Sequence, residues 1–364
     1  MSDYWNKRTK NLSPYVPGEQ PKDRKFIKLN TNENPYPPSP KVIEAIKRAA
    51  GENLRLYPDP ECTALRETIA AFYGVKPEQV FAGNGSDEIL AFAFGAFFES
   101  AKDKDDTAEI LFPDITYSFY PVYAGLWNIP FKEIPLCGDF SINIKDYNIQ
   151  NGGVIFPNPN APTGIALPLG EILSLADFLK KQRKVLIIDE AYAAFGADSA
   201  VGYINKYDNL LTVHTLSKSS SLAGLRAGFA VGSEELIEGL RRMRDSFNSY
   251  TLDRLALAGA EEAINDAQYY KEINLRVTAA RERTVSQLKN LKVNVLPSSA
   301  NFIFMRTDSI PGINFYSALR EKGILVRHFK KDRIADYLRV SIGTDHDMDI
   351  FLDACKEILK RSGS

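Results

Sequence analysis

At 364 residues the chain is long enough for about two domains with substantial cores. Charged residues at 25% and hydrophobic ones at 44% exclude a disordered or fibrous chain, and 45 basic against 46 acidic side chains exclude the strong field of a nucleic-acid or anionic-membrane binder. Cys62, Cys137 and Cys355 form neither a disulfide framework nor a zinc motif, the N-terminal MSDYWNKRTKN has no apolar signal core, and the longest apolar run, 89–98, is too short to cross a bilayer. These features fit a reducing, cytoplasmic setting and indicate no metal site.

The first 40 residues are rich in Pro, Asn and Tyr without a period and are expected to form an ordered arm on the rest of the molecule. From about 75 to 235, short β-branched or aromatic runs alternate with amphipathic helical patterns, the signature of βαβ units and a largely parallel sheet. Seven strands are expected, at 79–82, 109–112, 129–133, 153–156, 185–188, 210–214 and 228–231. After about 245 come two long helices (252–263 and 269–288), then short strands at 293–296, 302–305, 325–327 and 337–341 and a final helix. The expected organisation is therefore an arm with part of a small domain (1–45), a large α/β domain (46–245) and a small α+β domain (246–364). His214, His328 and His346 share no helix face and no triad context, and are read as core or surface residues.

Ligands of open parallel sheets bind beyond the carboxyl ends of the strands, so the residues just after each strand matter most. The first strand is followed by Gly83-Asn84-Gly85-Ser86-Asp87-Glu88 and the helix 89–98, a tight turn with Ser86 or Asp87 as cap and exposed N–H groups that cradle an anion. The fourth runs into Pro157-Asn158-Pro159-Asn160-Ala161-Pro162-Thr163-Gly164, where prolines fix the loop and leave amides to point at a ligand. The apolar fifth strand ends in Asp189-Glu190-Ala191-Tyr192, and a carboxylate at a buried strand tip is costly unless a cation meets it. The sixth ends in Thr215-Leu216-Ser217-Lys218, eight residues before Arg226. Partial burial of that lysine lowers its pKa and suits it to a Schiff base. Together these strand ends supply an anion cradle, an acid for a ring nitrogen, hydroxyls and amides for a phenolate, and an amine for an aldehyde, a set that matches pyridoxal 5′-phosphate.

With those residues in place, the chain resembles the histidinol-phosphate aminotransferase family of fold-type I enzymes. The matching segments are Leu12–Tyr15, Leu29–Pro35, Tyr57-Pro58-Asp59, Gly83–Glu88, Pro159–Gly164, Asp189–Tyr192, Thr215–Lys218, Arg226 and Leu338–Ser341, so nearly the whole chain is covered. The resemblance implies a large domain with a mostly parallel seven-stranded sheet plus a smaller α+β domain. It implies that Lys218 bonds the cofactor, Asp189 pairs with the pyridine nitrogen, Tyr192 bonds the phenolic oxygen and Tyr117 lies over the ring. Gly85, Ser86, Asp87 (through its N–H), Ser217 and Arg226 are implied as phosphate ligands, with Tyr57 reaching the neighbouring subunit's cofactor in a homodimer. The family usually has Asn where this chain has Ala161, so Asn158 or Asn160 is expected to supply that amide, or Tyr192 acts alone. Arg339 is implied as the carboxylate grip, and Tyr15, Asn34 and Arg327 complete the substrate set.

The resemblance implies transamination between histidinol phosphate and 2-oxoglutarate in histidine biosynthesis. An aromatic amino-acid aminotransferase and a threonine-phosphate decarboxylase share the same cofactor machinery. A cofactor-sensing transcription regulator would need a winged-helix domain of which this sequence carries no trace.

Overall fold

The computed structural model describes residues 3–21, 24–101 and 108–362. Its helices in chain order are α1 (Lys7–Asn11), α2 (Pro40–Ala49), α3 (Thr63–Tyr73), α4 (Gly85–Phe97), α5 (Tyr120–Trp127), α6 (Leu169–Lys181), α7 (Glu234–Asp245), α8 (Arg254–Asn265), α9 (Ala267–Asn290), α10 (Gly312–Glu321) and α11 (Asp345–Ser362). The strands are β1 (Ile27–Lys28), β2 (Val80–Gly83), β3 (Ile110–Pro113), β4 (Phe131–Ile134), β5 (Val154–Pro157), β6 (Leu186–Asp189), β7 (Leu210–Thr215), β8 (Gly228–Val231), β9 (Asn294–Val295), β10 (Phe302–Arg306), β11 (Ile324–Leu325), β12 (Arg327–His328) and β13 (Leu338–Ser341).

Strands β2 to β8 form one seven-stranded sheet in the order β2-β8-β7-β6-β5-β3-β4. Only β8 runs against its neighbours, pairing antiparallel with β2 and β7, and the other pairings are parallel. Every residue of β3, β5, β6 and β7 is buried because helices cover both faces of the sheet. Alternation then sorts side chains by face: Val154, Phe156, Leu186 and Ile188 pack with α6, whereas Ile155, Ile187, Leu211 and Val213 pack with α4, α5 and α7. Helix α6 answers with Ile172, Leu175, Ala176 and Leu179 on one stripe, each large apolar side chain contributing roughly 1.5–3 kcal/mol of burial.

The remaining strands build a C-terminal layer. Four of them, in the order β12-β13-β10-β9, form an antiparallel sheet, and β1 pairs parallel with β11. The N-terminal arm is thus stitched to the far end of the chain, with Leu29 buried in the same cluster as Val326, Val340 and Phe351.

Several expected boundaries move. Gln79 belongs to a 3-10 turn (Pro77–Gln79) ahead of β2, and Ile129 is spent closing α5 through its N–H to the Ala124 carbonyl, so β4 starts at Phe131. The strand expected at 325–327 is two short ones, because Leu325 pairs with β1 and Arg327 with β13 as the chain passes between sheets. The arm, expected without periodic structure, contains α1 and β1.

Candidate active site

The register brings Pro157, Asp189 and Thr215 to neighbouring strand ends, with Gly83 opposite Gly228 at the start of β8. A cavity of about 250 Å³ opens there, walled by Ser86 and Asp87 from α4, Asp189 at the end of β6 and Tyr192 beyond it, and Ser217 and Lys218 after β7. Tyr117 and Arg226 join the same wall, and Tyr15, Arg327 and Arg339 close the far side. A larger, mainly apolar cavity of about 1080 Å³ lies behind the β6 and β7 tips, but Lys218, Arg226, Arg327 and Arg339 do not line it. The groups able to do chemistry converge on the smaller one.

Lys218 Nζ donates to the Thr31 carbonyl at 2.9 Å. Burial, joined by the Arg339 cation, lowers its pKa to about 8, leaving a usable fraction of free amine near neutral pH. Asp189 ends β6 and is only 5% exposed. Its carboxylate accepts the Ala191 N–H at 3.1 Å and the Tyr120 hydroxyl at 3.4 Å, yet burial dominates and pushes its pKa up to about 7. A protonated ring nitrogen would supply the cation this carboxylate lacks.

Helix α4 begins at Gly85, so Ser86 and Asp87 lie in its first turn instead of capping it; Asn84 is the cap residue, and its N–H is taken by the Glu88 carboxylate at 2.7 Å. Gly85 has φ +78, and a Cβ there would stand 2.8 Å from the Arg226 guanidinium. Glycine therefore allows Arg226 to lie against the turn. Arg226 donates to Ser217 Oγ at 3.4 Å and to Asp87 Oδ2 at 3.2 Å, while Tyr117 donates to Asp87 Oδ1 at 2.7 Å. First-turn N–H groups, a hydroxyl and a guanidinium make an anion cradle.

At the far side Arg339 donates to the Asn30 carbonyl at 2.9 Å and lies over the Phe302 and Phe329 rings. Its Nε is buried and has no hydrogen-bond partner among the described residues. Arg327, its register partner across β12 and β13, donates to the carbonyls of Val16 and Pro17, and Tyr15 stacks on Phe119 at 4.3 Å. The arm thus lies across the mouth.

Two expected amides are engaged elsewhere. Asn158 exchanges hydrogen bonds with the Leu167 backbone, and Asn160 bonds the Ile115 carbonyl, Thr163 and Thr116, so both hold the loop together and neither lines the cavity. Asn34 likewise braces the Lys218 backbone carbonyl at 3.1 Å instead of facing the cavity. Tyr57 stands outside this chain's cavity, largely exposed and stacked on Tyr250 at 4.6 Å. Asn30, Thr31 and Asn32, which the sequence marked only as part of the segment Leu29–Pro35 and gave no role, are three consecutive residues that touch Arg339, Lys218 and Tyr192. Their signal was the density of asparagine in Leu29–Pro35, for Asn32 adopts φ +58, a conformation asparagine tolerates better than most residues.

The residues present fit pyridoxal 5′-phosphate: a buried acid awaiting a cation, a phenol near it, an anion cradle of Ser86, Ser217 and Arg226 at the α4 turn, and a lysine of lowered pKa. Fold and cavity together define a pyridoxal-phosphate enzyme of fold type I. Residues 24–355 match the family model for aminotransferase class I and II. A Clostridium acetobutylicum protein named histidinol-phosphate aminotransferase is 55% identical over 359 residues, covering 99% of this chain and 100% of that one. A Clostridium beijerinckii protein of the same name is 50% identical over 362 residues, covering 100% and 99%. Among solved structures, histidinol-phosphate aminotransferase from Sinorhizobium meliloti in complex with pyridoxal-5′-phosphate has a TM-score of 0.87 at 22% identity, covering 99% of each chain. The chain belongs to the aminotransferase class I and II family and is a pyridoxal-phosphate-dependent aminotransferase.

Proposed function

We propose that this enzyme moves an amino group between L-histidinol phosphate and 2-oxoglutarate, in the cytoplasm, as a step of histidine synthesis. The observation that carries the reading is the pair Arg327 and Arg339, facing each other across β12 and β13 at the cavity's far side. One amino donor of this reaction carries a carboxylate and the other a phosphate, and a guanidinium fork accepts either. The full-length relatives at 50–55% identity that bear the name histidinol-phosphate aminotransferase support it.

When bound, the cofactor supplies an aldehyde for the lysine amine and a ring that draws electrons from the substrate carbon. With the cofactor bound, Lys218 Nζ, unprotonated in useful amount because its pKa is about 8, would take the proton from the substrate carbon bearing the amine and deliver it to the aldehyde-derived carbon of the cofactor. Asp189 holds the proton of the ring nitrogen, and Tyr192 donates to the phenolic oxygen. Ser86, Ser217, Arg226 and the first N–H groups of α4 bind the phosphate. Tyr15 and Phe119, stacked over the mouth, keep water out.

A homodimer belongs to this reading. Leu54, Leu56, Tyr57, Phe247 and Tyr250 are exposed large apolar side chains, Tyr57 stacked on Tyr250, of the kind that a partner covers. Tyr57 would reach the partner's phosphate.

The deciding experiment is steady-state transamination of histidinol phosphate against phenylalanine with 2-oxoglutarate, scoring glutamate. A kcat/KM preference of about 100-fold, roughly 2.7 kcal/mol of differential transition-state binding, is expected for histidinol phosphate. Preference for phenylalanine would move the enzyme to aromatic amino-acid metabolism, and carbon dioxide release from threonine phosphate without an oxo acid would make it a decarboxylase.

A further inference from the structure

Asn32 is only 1% exposed and holds a left-handed backbone conformation, yet every polar group on it has a partner. Its N–H donates to Ser341 Oγ at 2.8 Å. Having accepted there, the Ser341 hydroxyl spends its own proton on Asn32 Oδ1, 2.9 Å away. That bond sets the amide's orientation and leaves Nδ2 facing Tyr192 Oη at 3.0 Å. The Asn32 carbonyl accepts from Asn301 Nδ2 at 2.9 Å, which anchors the segment to the C-terminal sheet.

The direction of this chain of bonds has a consequence for the phenol. A tyrosine hydroxyl has one proton, and when it accepts from an amide N–H its proton must go elsewhere. On Tyr192's other sides lie the Phe302 ring, edge-on at 5.0 Å, and the methyls of Ala161 and Ala300. None of these accepts a conventional hydrogen bond, and the open direction is the cavity that Tyr192 and Ala161 both line. We propose that Asn32 is a positioning residue: its amide, oriented by Ser341, commits Tyr192 to act as a hydrogen-bond donor into the cavity.

The inference rests on the pyridoxal-phosphate reading and deepens it by assigning the second residue behind the contact to the cofactor's phenolic oxygen. Ser341 lies two residues after Arg339 on β13, so the relay joins the strand that presents the substrate-gripping arginine to the phenol that follows β6. Arg339, Asp189 and Tyr15 are the ionisable groups that bear on Tyr192, and none of them is bonded to its hydroxyl.

Asn32→Gly tests this cleanly, because glycine accepts the positive φ and only the amide is lost. The readout is the pH midpoint of the visible absorbance change of the bound cofactor, measured on protein loaded with pyridoxal phosphate. A donor at the phenolic oxygen favours the form with more negative charge there, so its loss should raise the midpoint by about one pH unit, the size of one hydrogen bond to a charged oxygen. Asn32→Asp should raise it at least as far, since a carboxylate offers Tyr192 only an acceptor and turns its proton away from the cavity. In a Tyr192→Phe background Asn32→Gly should add no further shift, whereas in the otherwise wild-type enzyme it should lower kcat while KM for glutamate changes less than about twofold. A midpoint unchanged in Asn32→Gly, or a full additional shift in the Tyr192→Phe background, would overturn the assignment. Failure of the wild-type protein to take up the cofactor at all would instead remove the reading beneath it, and the inference with it.

Discussion

Asp189 and Lys218 are both driven towards neutrality by burial, the acid up to about 7 and the amine down to about 8, and the field of Lys218 only partly offsets the shift of Asp189. For Asp189 this links stability to pH. Unfolded, the carboxyl ionises near 3.8; folded and cofactor-free, it keeps its proton to about pH 7. Stability tied to it is therefore intact below about pH 4 and lost as the pH rises to 7. Cofactor-free Asp189→Asn should accordingly melt at the wild-type temperature at pH 4 and several degrees higher at pH 8. Loaded with cofactor, the order should reverse, since only the aspartate can pair with a protonated ring nitrogen. Thermal melts of the two proteins, with and without cofactor at both pH values, check each arm, and a pH-independent difference would count against the buried-acid account.

Among the elements, the junction of β2, β8 and α4 decides whether an anion can be held. Gly228 opens β8 between the α4 turn and the end of β7, and a Cβ there would lie 2.8 Å from the backbone atoms of Gly85, His214 and Ser86. No side-chain rotation relieves contact with main chain, so Gly228→Ala must push β8 and the α4 turn apart. The expected result is a loss of about 1–3 kcal/mol in stability together with at least tenfold weaker cofactor binding, read by denaturant titration and by absorbance titration. Retained affinity would mean that the turn is not the phosphate cradle. At the same scale, the loop 157–164 shows how an element can mislead: its asparagines look poised for a ligand, but a buried loop must satisfy its own backbone first, and Asn158 and Asn160 are used for that.

For the whole molecule the exposed Tyr57 is the informative feature. If it completes the partner's site, then a Tyr57→Phe chain and an inactive Lys218→Ala chain should rescue each other, because one site of the mixed dimer holds both native residues. Mixing and refolding the two should restore about a quarter of wild-type activity, half of the dimers carrying one intact site of two. No recovery beyond the sum of the separate variants, with mixed dimers verified by a tag on one chain, would place Tyr57 outside the catalytic unit.

The sequence alone determined the sheet, to within a residue or two at each strand. It also drew attention to Asp189 and Lys218, because buried apolar runs that end in charged residues leave few positions where such groups are tolerable, while Tyr192 and Arg226 were singled out through the family resemblance; all four line the same cavity. The arm was legible as an arm, but not as the segment that meets Arg339, Lys218 and Tyr192 through Asn30, Thr31 and Asn32. Those contacts join residues 187, 160 and more than 300 positions apart, and two of them are made by main-chain carbonyls that every residue possesses. Only the tertiary structure, by pairing β1 with β11 and laying the arm across the sheet's carboxyl edge, decided which asparagine amide is aimed at the chemistry and which are consumed in holding a loop.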